Sequence, residues 1–102
     1  MSTLNVVKSP EEWGWSKVFA KDENQALESG MFCCYPGKSL PLHTHNEADE
    51  YCYISQGSGI FVLAGKEITV SEGQLIKIPK GVEHLCRPVG NAAFESYYLV
   101  CR

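Results

Sequence analysis

The sequence predicts an all-β domain, and three observations carry that prediction. Turn signals recur every 8–12 residues from Pro36-Gly37 onward. The runs between them are short and rich in Val, Ile, Tyr and Phe. No long segment repeats its apolar residues at helical spacing. Evenly spaced short strands read as a sandwich or barrel, and without strands alternating with helices a doubly wound α/β fold is excluded.

Taken in order, residues 1–30 hold the weakest pattern and read as an N-terminal arm of the same domain. Ser9-Pro10-Glu11-Glu12 has the form of an N-cap, a proline at the first helical position and acids in the first turn, but Gly14 follows at once. A short irregular or one-turn helical segment is the expectation there. The barrel is expected over residues 31–102. Its strands are predicted at Met31–Tyr35, Glu50–Gln56, Ile60–Ala64, Glu67–Ser71, Gln74–Ile78, His84–Arg87 and Phe94–Cys101. Pro36-Gly37, Gly57-Ser58-Gly59, Gly65-Lys66, Glu72-Gly73, Lys80-Gly81 and Gly90-Asn91 separate them. Phe32, Phe61 and Phe94 are the expected core aromatics.

Composition narrows the function classes. The 102 residues allow one domain, and 44% apolar with 21% charged residues is ordinary for a globular chain. Nine Lys and Arg against twelve Asp and Glu give a net charge of −3, which argues against nucleic acid and against an anionic membrane surface. No apolar run approaches the ~20 residues that span a bilayer. The opening MSTLNVVKSPEEW lacks the basic and apolar succession of a secretory signal, so a cytoplasmic location is expected. The five cysteines (Cys33, Cys34, Cys52, Cys86 and Cys101) fit that location: their number is odd and no C-x-x-C occurs. They read as small buried hydrophobes. Cys33 and Cys34 are adjacent, so in a strand they point to opposite faces and at least one is expected to be exposed.

Chemistry concentrates in the three histidines. His43-Thr44-His45 places two imidazoles on one face of an extended segment, and Asp49-Glu50 opens the next strand. On that strand Glu50, Cys52 and Ile54 share one face and Tyr51, Tyr53 and Ser55 the other. His84 starts a later strand and shares its face with Cys86, a candidate fifth ligand or cavity wall. If the sheet closes, three imidazoles and a carboxylate converge. That donor set suits Fe, Mn, Ni, Zn, Co or Cu, and on a six-coordinate ion it leaves two positions open for substrate. Cationic clamps are scarce: Arg87 and Lys77 lie opposite in parity to inward positions, and Lys38 alone stands near the expected mouth. Of Tyr97 and Tyr98, on opposite faces, one looks inward.

The spacing resembles that of the cupin superfamily. Gly37, His43, His45, Glu50 and Gly57 match G-x5-H-x-H-x4-E-x6-G. Gly73, Pro79, Gly81 and His84 match the second motif, whose final Asn is replaced by Pro88. Fifteen residues separate the two motifs. The resemblance implies a double-stranded β-helix, the jelly-roll barrel, with one divalent metal ion held by His43, His45, Glu50 and His84. It favours Glu50 over its neighbours Glu47 and Asp49, of which Asp49 fits the shorter spacer. The matched glycines Gly37, Gly57, Gly73 and Gly81 stand where tight turns need positive φ. The family hosts many chemistries, so the resemblance does not name the reaction; the intact four-ligand set with room for substrate points to a metal-dependent enzyme on a small polar molecule, with dioxygenase chemistry slightly ahead of lyase or isomerase chemistry. The alternative is a non-catalytic module that binds a sugar or other small ligand. A homodimer is expected from the open sheet edges of a short barrel, with Trp13, Trp15, Tyr51 and Tyr53 as interface candidates.

Overall fold

A computed structural model describes residues 3, 5–22 and 27–101. Residues 1, 2, 4 and 23–26, all within the 1–30 arm, lie outside the description, as does residue 102. Among the described residues nine strands form: β1 (Ser9–Glu11), β2 (Gly14–Asp22), β3 (Leu27–Cys34), β4 (Asp49–Gln56), β5 (Ser58–Leu63), β6 (Lys66–Ser71), β7 (Leu75–Ile78), β8 (His84–Pro88) and β9 (Phe94–Cys101). They make a six-stranded sheet in the order β1-β2-β3-β9-β4-β7 and a three-stranded sheet β6-β5-β8, every pairing antiparallel. This is the jelly-roll arrangement.

The expected helical turn at Ser9–Glu12 is absent. Ser9–Glu11 pairs with β2 instead, in a hairpin whose loop is Glu12-Trp13. A single helical turn closes one hydrogen bond for several fixed dihedrals. The alternative adds a strand to an existing sheet edge, where Pro10 needs no donor of its own. Strand β2 had no sequence signature because its alternation is broken. The register slips between Val18 and Ala20, and Val18 is left half exposed. Inward positions of the strand are filled by Gly14 and Ser16, opposite Cys34 and Phe32, rather than by large apolar residues.

Between the sheets Phe32, Phe61 and Phe94 form the aromatic centre. Phe94 lies 6.1 Å from Phe32 and 6.0 Å from Phe61, ring to ring, both edge-on. Cys52, Ile54, Val70, Ile76, Ile78 and Cys86 complete this core. Gly57 turns the chain from one sheet to the other with φ of 77°, and a Cβ there would stand 2.5 Å from the Ala93 carbonyl oxygen. Both the backbone angle and the contact require glycine. Gly37, Gly73 and Gly81 also take positive φ, as the motif spacing implies.

Cys33 and Cys34 are both buried, against the expectation that one is exposed. Strand parity still holds. Cys34 faces the core, and Cys33, on the outer face, is flanked by its cross-strand partners Trp15 and Glu95. Lys8 lies over the Trp15 ring, 4.4 Å from its centre. Burial raises the Cys33 thiol and pushes Cys34 up to about 11. Deeper burial pushes Cys52 and Cys86 well above the ordinary range. These are packing thiols, not nucleophiles.

Candidate metal centre

The segment from Ser39 to His45 carries two of the predicted ligands and is not a regular strand. Pro41 lacks a donor, and the segment attaches to the β8 edge of the smaller sheet at separate points. The Leu40 amide donates to the Cys86 carbonyl (2.9 Å). His43 and His84 exchange both backbone bonds (2.9 Å each). The Gly81 amide donates to the His45 carbonyl (2.8 Å). These bonds set His43 beside His84, with ring centres 4.1 Å apart, and bring His45 to 5.3 Å from His43. Glu50 arrives from β4 in the opposite sheet, facing inward with Cys52 and Ile54.

One ligand atom from each of His43, His45, Glu50 and His84 lies within 4.8 Å of all the others. Donors on a shell of about 2.1 Å around one ion stand about 3–4 Å apart, so this set is close to coordination spacing. Two rings are already oriented. The Nδ1 of His43 meets the Pro41 carbonyl at 2.8 Å and that of His84 meets the Val82 carbonyl at 2.9 Å. A carbonyl only accepts, so each Nδ1 carries the proton and each Nε2 is turned to the common centre. At that centre His84 Nε2 lies 3.0 Å from Glu50 Oε1, and His45 Nε2 lies 3.4 Å from the same oxygen. The donor chemistry fits a divalent transition metal: three imidazoles and one carboxylate converge, with outer hydrogen bonds in place on His43, His84 and Glu50.

Charge is balanced inside the cluster. Burial works to raise Glu50, but the His84 hydrogen bond and the three neighbouring imidazoles outweigh it and hold the carboxyl below its ordinary range. Burial works to lower His84, and there the Glu50 bond, the Val82 carbonyl and the Glu50 charge prevail and raise it. His43 is lowered, by burial foremost.

Other predicted positions sort cleanly. Asp49 faces away: it accepts from the Lys80 amide at 2.9 Å and lies 3.8 Å from Lys77 Nζ. Arg87 pairs with Glu67 at 2.8 Å on the outside of the small sheet. Lys38, the expected cation at the mouth, instead pairs with Glu12 at 2.7 Å on the exposed surface. Cys86 packs in the core and forms part of the cavity wall, as does Cys52, whose thiol also donates to Glu50 Oε2 over 3.6 Å. Of the tyrosine pair, Tyr98 looks inward and Tyr97 outward. Trp13 is half-buried and packs edge-on against Phe32.

The four side chains line a cavity of about 190 Å³ between the sheets, together with Glu28, Tyr98 and Cys52. That is below the roughly 300–1,000 Å³ of pockets for larger ligands. No lysine or arginine lines it among the described residues. Glu28 has no signal in the sequence as long as the strand is predicted to start at Met31. Extending it back to Leu27 puts Glu28, Gly30 and Phe32 on one face, and parity alone then points Glu28 inward.

Residues 30–100 match the family model described as "Cupin domain". The chain is 33% identical over 60 residues to an oxalate-binding protein of Thermotoga maritima, covering 59% of this chain and 50% of that protein. It spans about half the length of the curated relatives it matches. Among solved structures it is similar to the cupin domain of Schizosaccharomyces pombe Cnp3, with a TM-score of 0.82 at 15% identity over 97% of this chain and 69% of that one. It also resembles a protein of Thermotoga maritima described as a predicted oxalate decarboxylase, with a TM-score of 0.78 at 23% identity, covering 94% and 90%. At those identities the structural likeness speaks for the fold, and the family match agrees with both sequence motifs. The chain belongs to the cupin-domain family.

Proposed function

We propose that His43, His45, Glu50 and His84 hold one divalent transition-metal ion and that the chain is a metal-dependent enzyme acting on a small polar molecule. The observation that carries this reading is the convergence of the four donors on a cavity with space beside them. When bound, such an ion binds substrate oxygens and, if redox-active, activates dioxygen. The chain's own residues supply the rest: the two Nδ1–H bonds keep the imidazoles aimed, and Phe32, Leu40 and Phe61 give the cavity apolar walls. Dioxygenase-type chemistry stands ahead of lyase or isomerase chemistry because imidazole and carboxylate donors with free positions suit Fe(II).

Metal analysis of the natively produced protein tests the first part, with iron raising the oxygenase reading and zinc lowering it. Anaerobic Fe(II) loading followed by oxygen and a substrate panel tests the second. Absence of oxygen uptake across the panel would remove the oxygenase version. One observation favours a binding module instead: the Thermotoga maritima relative is described as binding oxalate. Undiminished ligand affinity after chelation of the metal would decide for that reading.

Metal affinity is expected to fall on acidification. His84 is raised, so near neutrality part of the population carries the Nε2 proton that donates to Glu50, and an ion must displace it. Affinity should drop by up to about tenfold per pH unit below that raised value. Proton release should rise toward one per ion bound as the pH falls below that raised value, measurable calorimetrically in buffers of different ionisation enthalpy. In the metal-free protein the same pair supports folding. The His84 part is full below its ordinary 6.5 and is lost as pH rises through the raised value. The Glu50 part is present above its ordinary 4.5 and is lost as pH falls through the lowered one. Both operate together between about 4.5 and 6.5.

A homodimer is part of the proposal. The outer face of the six-stranded sheet exposes Tyr53, Leu75, Tyr97 and Leu99, and Tyr53 is the cross-strand partner of both Leu75 and Tyr97. A contiguous aromatic and aliphatic face of this kind is suited to a second copy. A sedimentation mass equal to one chain at micromolar concentration would overturn it.

A further inference from the structure

Across the cavity wall from the histidines lies a second polar device that the metal reading does not use. The Tyr98 hydroxyl donates to Glu28 Oε2 over 2.9 Å, and both side chains line the cavity. The fold makes room for this bond. Tyr98 stands opposite Gly30 in the β3–β9 register, and a Cβ at Gly30 would lie 2.7 Å from the phenol oxygen and 2.2 Å from the Lys17 carbonyl oxygen. Gly30 does not take a positive φ, so here space rather than backbone conformation demands glycine. The phenol lies over the missing side chain of β3 and reaches Glu28 two residues further along the same face. Burial pushes the phenol above its ordinary range, and the Glu28 bond adds to that.

The hydrogen-bond inventory of the Glu28–Tyr98 pair is one-sided, the hydroxyl of Ser16 lining the cavity separately from it. A carboxylate only accepts, and the single proton of Tyr98 is already committed to Glu28. The remaining capacity is lone pairs. The nearest cation, Lys21 Nζ, stands 4.0 Å from Glu28 Oε1 on a largely exposed side chain and does not line the cavity. A second carboxylate placed here would face a fixed negative charge and find no donor from this pair. A hydroxyl group would donate to it.

We infer that the Glu28–Tyr98 pair is the specificity element of the cavity. It selects a small hydroxylated ligand, with metal-binding oxygens at one end and a hydroxyl donor at the other, against a dicarboxylate. The inference rests on the metal-centre reading proposed above, and it separates this chain from ligands that are acceptors at both ends.

The test uses the whole protein loaded with Mn(II), its metal content measured first, and three probes of three carbons each: glycerate, lactate and malonate. Titration calorimetry should give glycerate about tenfold tighter binding than lactate, the size of one added hydrogen bond to a charged group, with malonate weaker than glycerate. Glu28→Gln and Tyr98→Phe should each bring glycerate down to the lactate level while leaving lactate affinity and Mn(II) content unchanged. The inference is overturned if malonate matches or exceeds glycerate, or if the wild-type protein does not distinguish glycerate from lactate. It is equally overturned if the variants leave the glycerate-to-lactate ratio where it was, as a merely structural pair would. A wild-type protein that binds no Mn(II) overturns the metal reading and this inference together. Metal bound with the wrong order of affinities overturns this inference alone.

Discussion

His84→Ala is expected to lower metal affinity by more than 100-fold while the protein still folds as a jelly roll. Changes to groups that merely orient a ligand cost 10–100-fold, and this change removes a ligand of the proposed set. His84 also closes the bond to the buried Glu50, so its loss leaves a carboxylate without its nearest partner. An uncompensated buried charge is costly, by about 3–5 kcal/mol when one member of a fully buried pair is removed. The cavity beside Glu50 admits water and softens that penalty here. The stability loss is therefore expected below that range, and Glu50 is expected to titrate higher than in the parent. Metal content by elemental analysis and a thermal melt read the two effects separately. Unchanged metal content would remove His84 from the ligand set.

Phe94→Ala is expected to cost about 3–5 kcal/mol, the range for emptying a large aromatic site in a core. The side chain has no exposed surface and bridges Phe32 of the large sheet and Phe61 of the small one. The site cannot collapse easily, because Gly59 already lies against the ring: a Cβ there would stand 2.8 Å from it. Denaturant midpoints at constant slope measure the loss. A cost under about 1 kcal/mol would mean that the two sheets close over the gap without this ring.

The parts of the fold legible in the sequence are those where chemistry is local. Phe94–Cys101 follows the Gly90-Asn91 turn and is rich in aromatic and aliphatic residues, so β9 is found with the predicted bounds. Glu50, Cys52 and Ile54 alternate along β4, and all three are buried as parity requires. What failed was settled by neighbours. Ser9-Pro10-Glu11 carries helix-start residues, but the β2 edge was invisible because its inward positions are glycine and serine. The Cys33 thiol lies on an outer face, and only its cross-strand partners bury it. Glu28 and Tyr98, 70 residues apart, meet through a glycine whose role no periodicity reveals. The four proposed ligands stand out because their spacing is fixed by two turns and one strand face, all short-range features.

Two of the proposed ligands sit on the smaller sheet's irregular edge, one on β8 and one on β4 of the larger sheet. Strands β4 and β8 belong to different sheets and share no backbone ladder. An ion held by all four would therefore act as a rivet through the sandwich, joining β4 and β8 directly where no backbone ladder does. Its mechanical effect would be kinetic. Opening the sandwich at this end would require a coordination bond to break first, so the loaded protein should unfold more slowly than its equilibrium gain alone implies.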